Sequence, residues 1–144
     1  IDLDDLQSER AFHPMAAYAQ AKLAMVMGTY YLARHLEGTG VTVNALHPGL
    51  VATGILRGFG IPRPLQPLLI HASRPFLATP EDGARTAIQL ATSPDLAAVT
   101  GQYFVDGKAA RSPEASYNRD LQEALWTASE HLTSLAPGWR QETR

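Results

Sequence analysis

The sequence has no cysteine. That excludes disulfides and thiolate metal sites, and it fits a reducing, cytoplasmic setting. Its five histidines lack the spacing of a ligand set, so no metal is implied. Charge of one sign is also missing. The 12 Lys and Arg nearly balance the 14 Asp and Glu, for a net charge of -2. There is no basic surplus of the kind that nucleic acid or an anionic membrane selects. No uninterrupted apolar run reaches the ~18 residues of a spanning helix, and no signal-peptide pattern opens the chain. Repeats and low-complexity tracts are absent. What remains is ordinary globular composition, 45% hydrophobic and 18% charged over 144 residues. That length allows one domain with a real core.

Residues 1 to 12 are polar and acidic and read as a connecting loop with a short turn at Leu3 to Leu6. Pro14 fits the first turn of a helix, where its missing N–H costs nothing. Good helix formers dominate from about Met15 to Leu36, with Gly28 the weak point. Leu23, Val26, Met27, Tyr30, Tyr31 and Leu32 cover more than one face. The helix is therefore expected to be buried on two sides or to pack against a partner. Glu37-Gly38-Thr39-Gly40 stops it. Val41 to Leu46 predicts a strand, preferably central and parallel. Pro48 ends that strand, and Gly49 allows a ligand close to the backbone.

Residues 50 to 78 are broken by Pro62, Pro64, Pro67 and Pro75, with a short helix expected over Leu65 to Ala72. A loop this long is more often a functional lid than a passive connector, here near 54–78. Thr79-Pro80-Glu81-Asp82 starts a helix that runs to about Thr92, with Ala84, Ala87, Ile88, Leu90 and Ala91 inward. Gly101 to Val105 predicts a second strand, closed by Asp106-Gly107. Ser112-Pro113-Glu114 starts a last helix to about Leu132, with Leu121, Leu125 and Trp126 inward, and the tail after Pro137 is expected to be loose. Two strands and about three helices make an α/β chain that is poor in strands. Two strands do not form a stable sheet alone. The expected fold is the second half of a doubly wound parallel sheet, a single partial domain over 1–144.

Two places carry chemistry. Tyr18 and Lys22 are four apart, so they share a helical face. A phenol and an ammonium held together can donate and accept a proton. Tyrosine ordinarily ionises near 10, too high for a base at neutrality. A cation about 4 Å away contributes roughly 4 kcal/mol at an effective dielectric of ~20, enough to bring the phenol toward working range. The second place is Pro48-Gly49, at the strand end where an open α/β sheet puts its ligand crevice. Alone, each has a plain reading: a helical side-chain pair, and a strand-ending turn. Ser8 lies ten residues before Tyr18 but in a polar loop, and is not promoted to the site.

Together these residues resemble the short-chain dehydrogenase/reductase family, closest to its retinol-dehydrogenase-like and WW-domain oxidoreductase-like branch. Tyr18-Ala-Gln-Ala-Lys22 looks like the family's Tyr-x-x-x-Lys motif. Asn44-Ala-Leu-His-Pro-Gly49 stands at the right distance, and Val51 and Thr53 fit the Pro-Gly-x-Val-x-Thr cofactor loop. Thr79-Pro80-Glu81-Asp82-Gly83-Ala84 and Gly101-Gln-Tyr-Phe agree as well. The resemblance implies a Rossmann-type domain binding NAD or NADP and a small-molecule alcohol or carbonyl substrate. It implies Tyr18 as acid/base and Lys22 as tuner of its pKa and ribose contact. His47, Pro48, Gly49, Val51 and Thr53 would lie along the cofactor. Homo-oligomers are common in the family. Its Gly-rich TGxxxGxG turn, Asn-Asn-Ala-Gly segment and upstream Ser are not in this sequence. The expectation is a fragment whose partner is the N-terminal half of the same domain. Two alternatives stay open: a non-catalytic relative serving as a binding or oligomerisation module, and a complete short chain that needs a partner. The apolar stretch Ile55 to Leu77 points to a lipophilic substrate, or to packing on a partner subunit or membrane surface.

Overall fold

The computed structural model describes residues 1–49, 51, 64 and 77–135. They divide into two compact units. One comprises 1–45, 98–102 and the chain from 111 onward; the other comprises 46–97 and 103–110. The expected short helix over Leu65 to Ala72, most of the lid and the C-terminal tail lie outside the described residues.

The first unit is built on helix α1, Pro14–His35, which starts with proline in its first turn as the sequence predicts. A 3₁₀ turn, Leu3–Asp5, precedes it. Met27 and Tyr31 of α1 are fully buried, and Tyr30 and Ala33 nearly so. α1 packs against helix α3, Arg119–Thr133, which buries Gln122 and Leu125. The Tyr31 ring stacks on Trp126 at 4.5 Å between centroids and on His35 at 3.9 Å. Such pairs add about 0.5–1.5 kcal/mol each beyond the area they bury. The Arg34 guanidinium donates to Gln122 Oε1 at 2.5 Å and to the Tyr30 carbonyl at 3.0 Å. Gln122 in turn donates to the Ser116 carbonyl at 2.6 Å. These bonds satisfy polar groups that would be costly to bury alone.

The last helix does not begin at Ser112-Pro113-Glu114. Those residues lead into a 3₁₀ turn, Glu114–Tyr117, and Asn118 caps α3 by accepting from the Leu121 N–H at 3.0 Å. Ser112 is drawn inward instead. Its hydroxyl bonds that of Tyr30 at 2.7 Å and that of Ser116 at 2.6 Å. The Tyr117 ring stacks on Tyr30, and its hydroxyl accepts from the Ser112 N–H at 3.0 Å. The Ser112 side chain, the Tyr30 hydroxyl, that backbone N–H and the charge of Arg111 hold Tyr117 below the usual tyrosine range.

The predicted strand is shorter and later than Val41 to Leu46: β1 is Ala45–His47. Side chains take part of the ladder's place over the missing residues. The Val43 N–H donates to Thr100 Oγ1 at 3.0 Å. Asn44 donates through Nδ2 to the Val99 carbonyl at 2.7 Å and accepts from the Gln102 N–H at 3.0 Å. Asparagine competes in this way with regular backbone pairing.

The second unit contains most of a sheet of three strands in the order β1-β2-β3, with β2 at Tyr103–Val105 and β3 at Lys108–Ala110. Leading into it, the Gly101 N–H bonds the Val43 carbonyl at 2.8 Å and the Ala45 N–H bonds the Gln102 carbonyl at 2.9 Å. Both segments advance together, so β1 and β2 are parallel. Helix α2, Pro80–Thr92, lies between them in the chain, which is the βαβ order a parallel pair needs. β3 adds an antiparallel partner, with Tyr103 opposite Ala110 and Val105 opposite Lys108. The count of two strands was therefore one short. Asp106-Gly107 is the hairpin turn itself, both residues at positive φ.

Thr79 caps α2 by accepting from the Asp82 N–H at 3.1 Å. The inward face differs from the one expected. Thr86 is buried and Gly83 and Leu90 are half-buried, whereas Ala84, Ala87, Ile88 and Ala91 are exposed. The Thr86 hydroxyl accepts from the Gly107 N–H at 3.0 Å, and this bond sets the rotation of the helix. Among the described residues no helix is long and apolar enough to cross a membrane.

Candidate active site

Tyr18 and Lys22 stand in the first half of α1, on the exposed part of that helix. Gln20 ties this half to the preceding segment: its Oε1 accepts from the Asp2 N–H at 2.9 Å and its Nε2 donates to the Asp5 carbonyl at 3.4 Å. The helix therefore presents Tyr18 from a fixed base. Tyr18 keeps 38% of its surface exposed. The Lys22 ammonium lies over the Tyr18 ring, 5.5 Å from its centroid, and 3.9 Å from Met25 Sδ. A cation at that range is attracted by the ring face. The i, i+4 spacing thus brings the two together as expected. Ser8 is a turn residue at φ 54°, its N–H bonded to the Asp5 carbonyl at 3.0 Å.

Tyr18 and Lys22 belong to the first unit; Pro48, Gly49 and Val51 belong to the second, as does His47 at the end of β1. His47 and Pro48 are exposed. Gly49 adopts φ +77°, a conformation that glycine takes without strain. Among the described residues, a side chain there would meet nothing within 4 Å. Val51 makes a parallel bridge to Ala78 that fixes the far side of the bend. Thr53 lies outside the described residues. The positive φ of Gly49 is a conformation that suits close approach of a ligand to the backbone. An open groove of about 320 Å³ elsewhere, lined by Leu3, Asp5 and His131 among others, contains none of these residues.

Reading the sequence for reactive groups passed over Gly83. It sits in the first turn of α2, directly against Val51 and the Pro48 carbonyl. The available signal was its cost, since glycine inside a helix is about 1 kcal/mol worse than alanine.

Comparison with known proteins agrees with this layout. A family profile described as enoyl-(acyl carrier protein) reductase matches residues 1–107. Human retinol dehydrogenase 14 is 42% identical over 135 residues, which covers 94% of this chain and 40% of that protein. Human polyprenol dehydrogenase is 40% identical over 138 residues, covering 94% and 41%. Human retinol dehydrogenase 13 is 39% identical over 155 residues, covering 99% and 44%. The chain thus spans between 40% and 44% of the length of these relatives. With a motif pair at family spacing, an α/β fold and these matches, the chain belongs to the short-chain dehydrogenase/reductase family and is retinol-dehydrogenase-like.

Proposed function

We propose that the protein interconverts an alcohol and a carbonyl on a lipophilic small molecule with NAD or NADP. The observation that carries this reading is the Lys22 ammonium held over an exposed Tyr18 ring, 5.5 Å from its centroid. When bound, the nicotinamide supplies or takes the hydride. Tyr18 gives a proton to the carbonyl oxygen in reduction and takes one from the alcohol in oxidation. The Lys22 ammonium is available to a ribose hydroxyl. His47, Pro48, Gly49, Val51 and Thr53 are the residues that would hold the cofactor. Two features support a lipophilic substrate: the apolar composition of Ile55 to Leu77, and relatives named for retinol and polyprenol.

The test is Tyr18→Phe in the full-length protein. Steady-state turnover should fall by about 10²–10⁴-fold, the usual contribution of a general acid/base. Turnover at the wild-type rate would remove Tyr18 from the mechanism. A substrate panel should favour long apolar alcohols and aldehydes, and activity confined to small polar sugars would reject the substrate class.

A further inference from the structure

The contact between α2 and the Pro48–Val51 loop has a consequence for binding. Gly83 donates its N–H to the Thr79 carbonyl at 3.0 Å, so it is a regular member of the helix. Glycine is poor in that role, yet a larger residue has no room. A Cβ on Gly83 would lie 2.6 Å from Val51 Cγ2, 3.4 Å from Cγ1 and 3.6 Å from the Pro48 carbonyl oxygen. The first distance is shorter than carbon atoms tolerate. Val51 cannot simply swing aside: it is β-branched, hence stiff at χ1, and its backbone is bridged to Ala78. The strain would pass to the loop between Pro48 and Val51, which includes the open Gly49.

We propose that Gly83 is a positioning residue for the dinucleotide: its missing side chain lets the first turn of α2 seat Val51, and through it the Gly49 bend, in the binding-competent place. This rests on the reading of Pro48, Gly49 and Val51 as the cofactor loop.

The experiment titrates NAD and NADP into the full-length protein, wild type against G83A, V51A and G83A/V51A, and follows thermal unfolding alongside. G83A should weaken dinucleotide binding by about five- to a hundred-fold, the cost of a modest overpacking. Its KM for the dinucleotide should rise more than its kcat falls. Tm should change little, because the better helix preference of alanine offsets part of the overpacking. In G83A/V51A the clash is gone, and binding should return to the level of V51A alone. Wild-type affinity in G83A would overturn the proposal, and so would a double variant that binds less tightly than V51A. If G83A does not fold, the comparison of V51A with G83A/V51A decides in the same way: equal binding supports the proposal, weaker binding overturns it. A wild type that binds neither dinucleotide would bring down the cofactor-loop reading and this proposal with it. Tight wild-type binding that G83A leaves untouched would sink only the role of Gly83.

Discussion

The two halves of α1 do different work. Its second half is packed: Met27 and Tyr31 are fully buried and Tyr30 is 8% exposed. Its first half is open, with Met15 at 53% and Tyr18 at 38%. One continuous run of backbone hydrogen bonds joins them. The packed half holds the helix against α3, and the open half presents the Tyr18 ring. Chemistry on a rigid element is positioned better than chemistry on a loop. The contrast separates what keeps the unit folded from what it does.

That separation can be tested. Tyr31→Ala should cost about 3–5 kcal/mol, since it removes a fully buried ring stacked on two others. Chemical denaturation of the full-length protein would measure it, and a small loss would mean that the packed half is not the anchor. Tyr18→Phe should do the reverse, abolishing most turnover while leaving the denaturation midpoint nearly unchanged; a fall in both would blur the division. A weaker effect concerns Tyr117, beside the packed half. Its phenol ionises more readily folded than unfolded, with the Ser112 hydroxyl the chief cause. The unfolded chain therefore binds more protons between the lowered value and the ordinary one near 10. Wild type should gain stability over Tyr117→Phe as pH rises toward 10, and lose that advantage as pH falls through the lowered value. Thermal melts of the two proteins across alkaline pH would show it, and a constant gap would refute it. Smallest of all, Met25→Gln should shift stability by less than about 0.5 kcal/mol, as exposed positions do.

Much of this was readable from residue order. Pro14 and Thr79-Pro80 marked two helix starts correctly, because capping and proline chemistry act locally. The pairing of Tyr18 with Lys22 was legible for a similar reason: helical spacing alone decides it. The errors arose where a distant partner made the choice. Val41 to Asn44 looks β-forming, but Thr100 and the Asn44 side chain take up the bonds a ladder would have made. The alanine stripe of α2 looked inward, yet the Thr86 bond to Gly107 turns the helix the other way. β3 was missed because Lys108-Ala109-Ala110 has no β-branched or aromatic residue, and only the preceding Asp106-Gly107 announces it. Gly83 enters the sequence reading only within the Thr79–Ala84 motif, because the tight space beside Val51 exists only in the folded chain.

The bonds of the first unit also set a timetable for synthesis. Tyr30 reaches its partner Ser112 across 82 positions, and Arg34 reaches Gln122 across 88. At about 5–20 residues per second, a ribosome needs roughly 4–18 s to make the intervening stretch. Throughout that interval the face of α1 that packs on α3 lacks that partner.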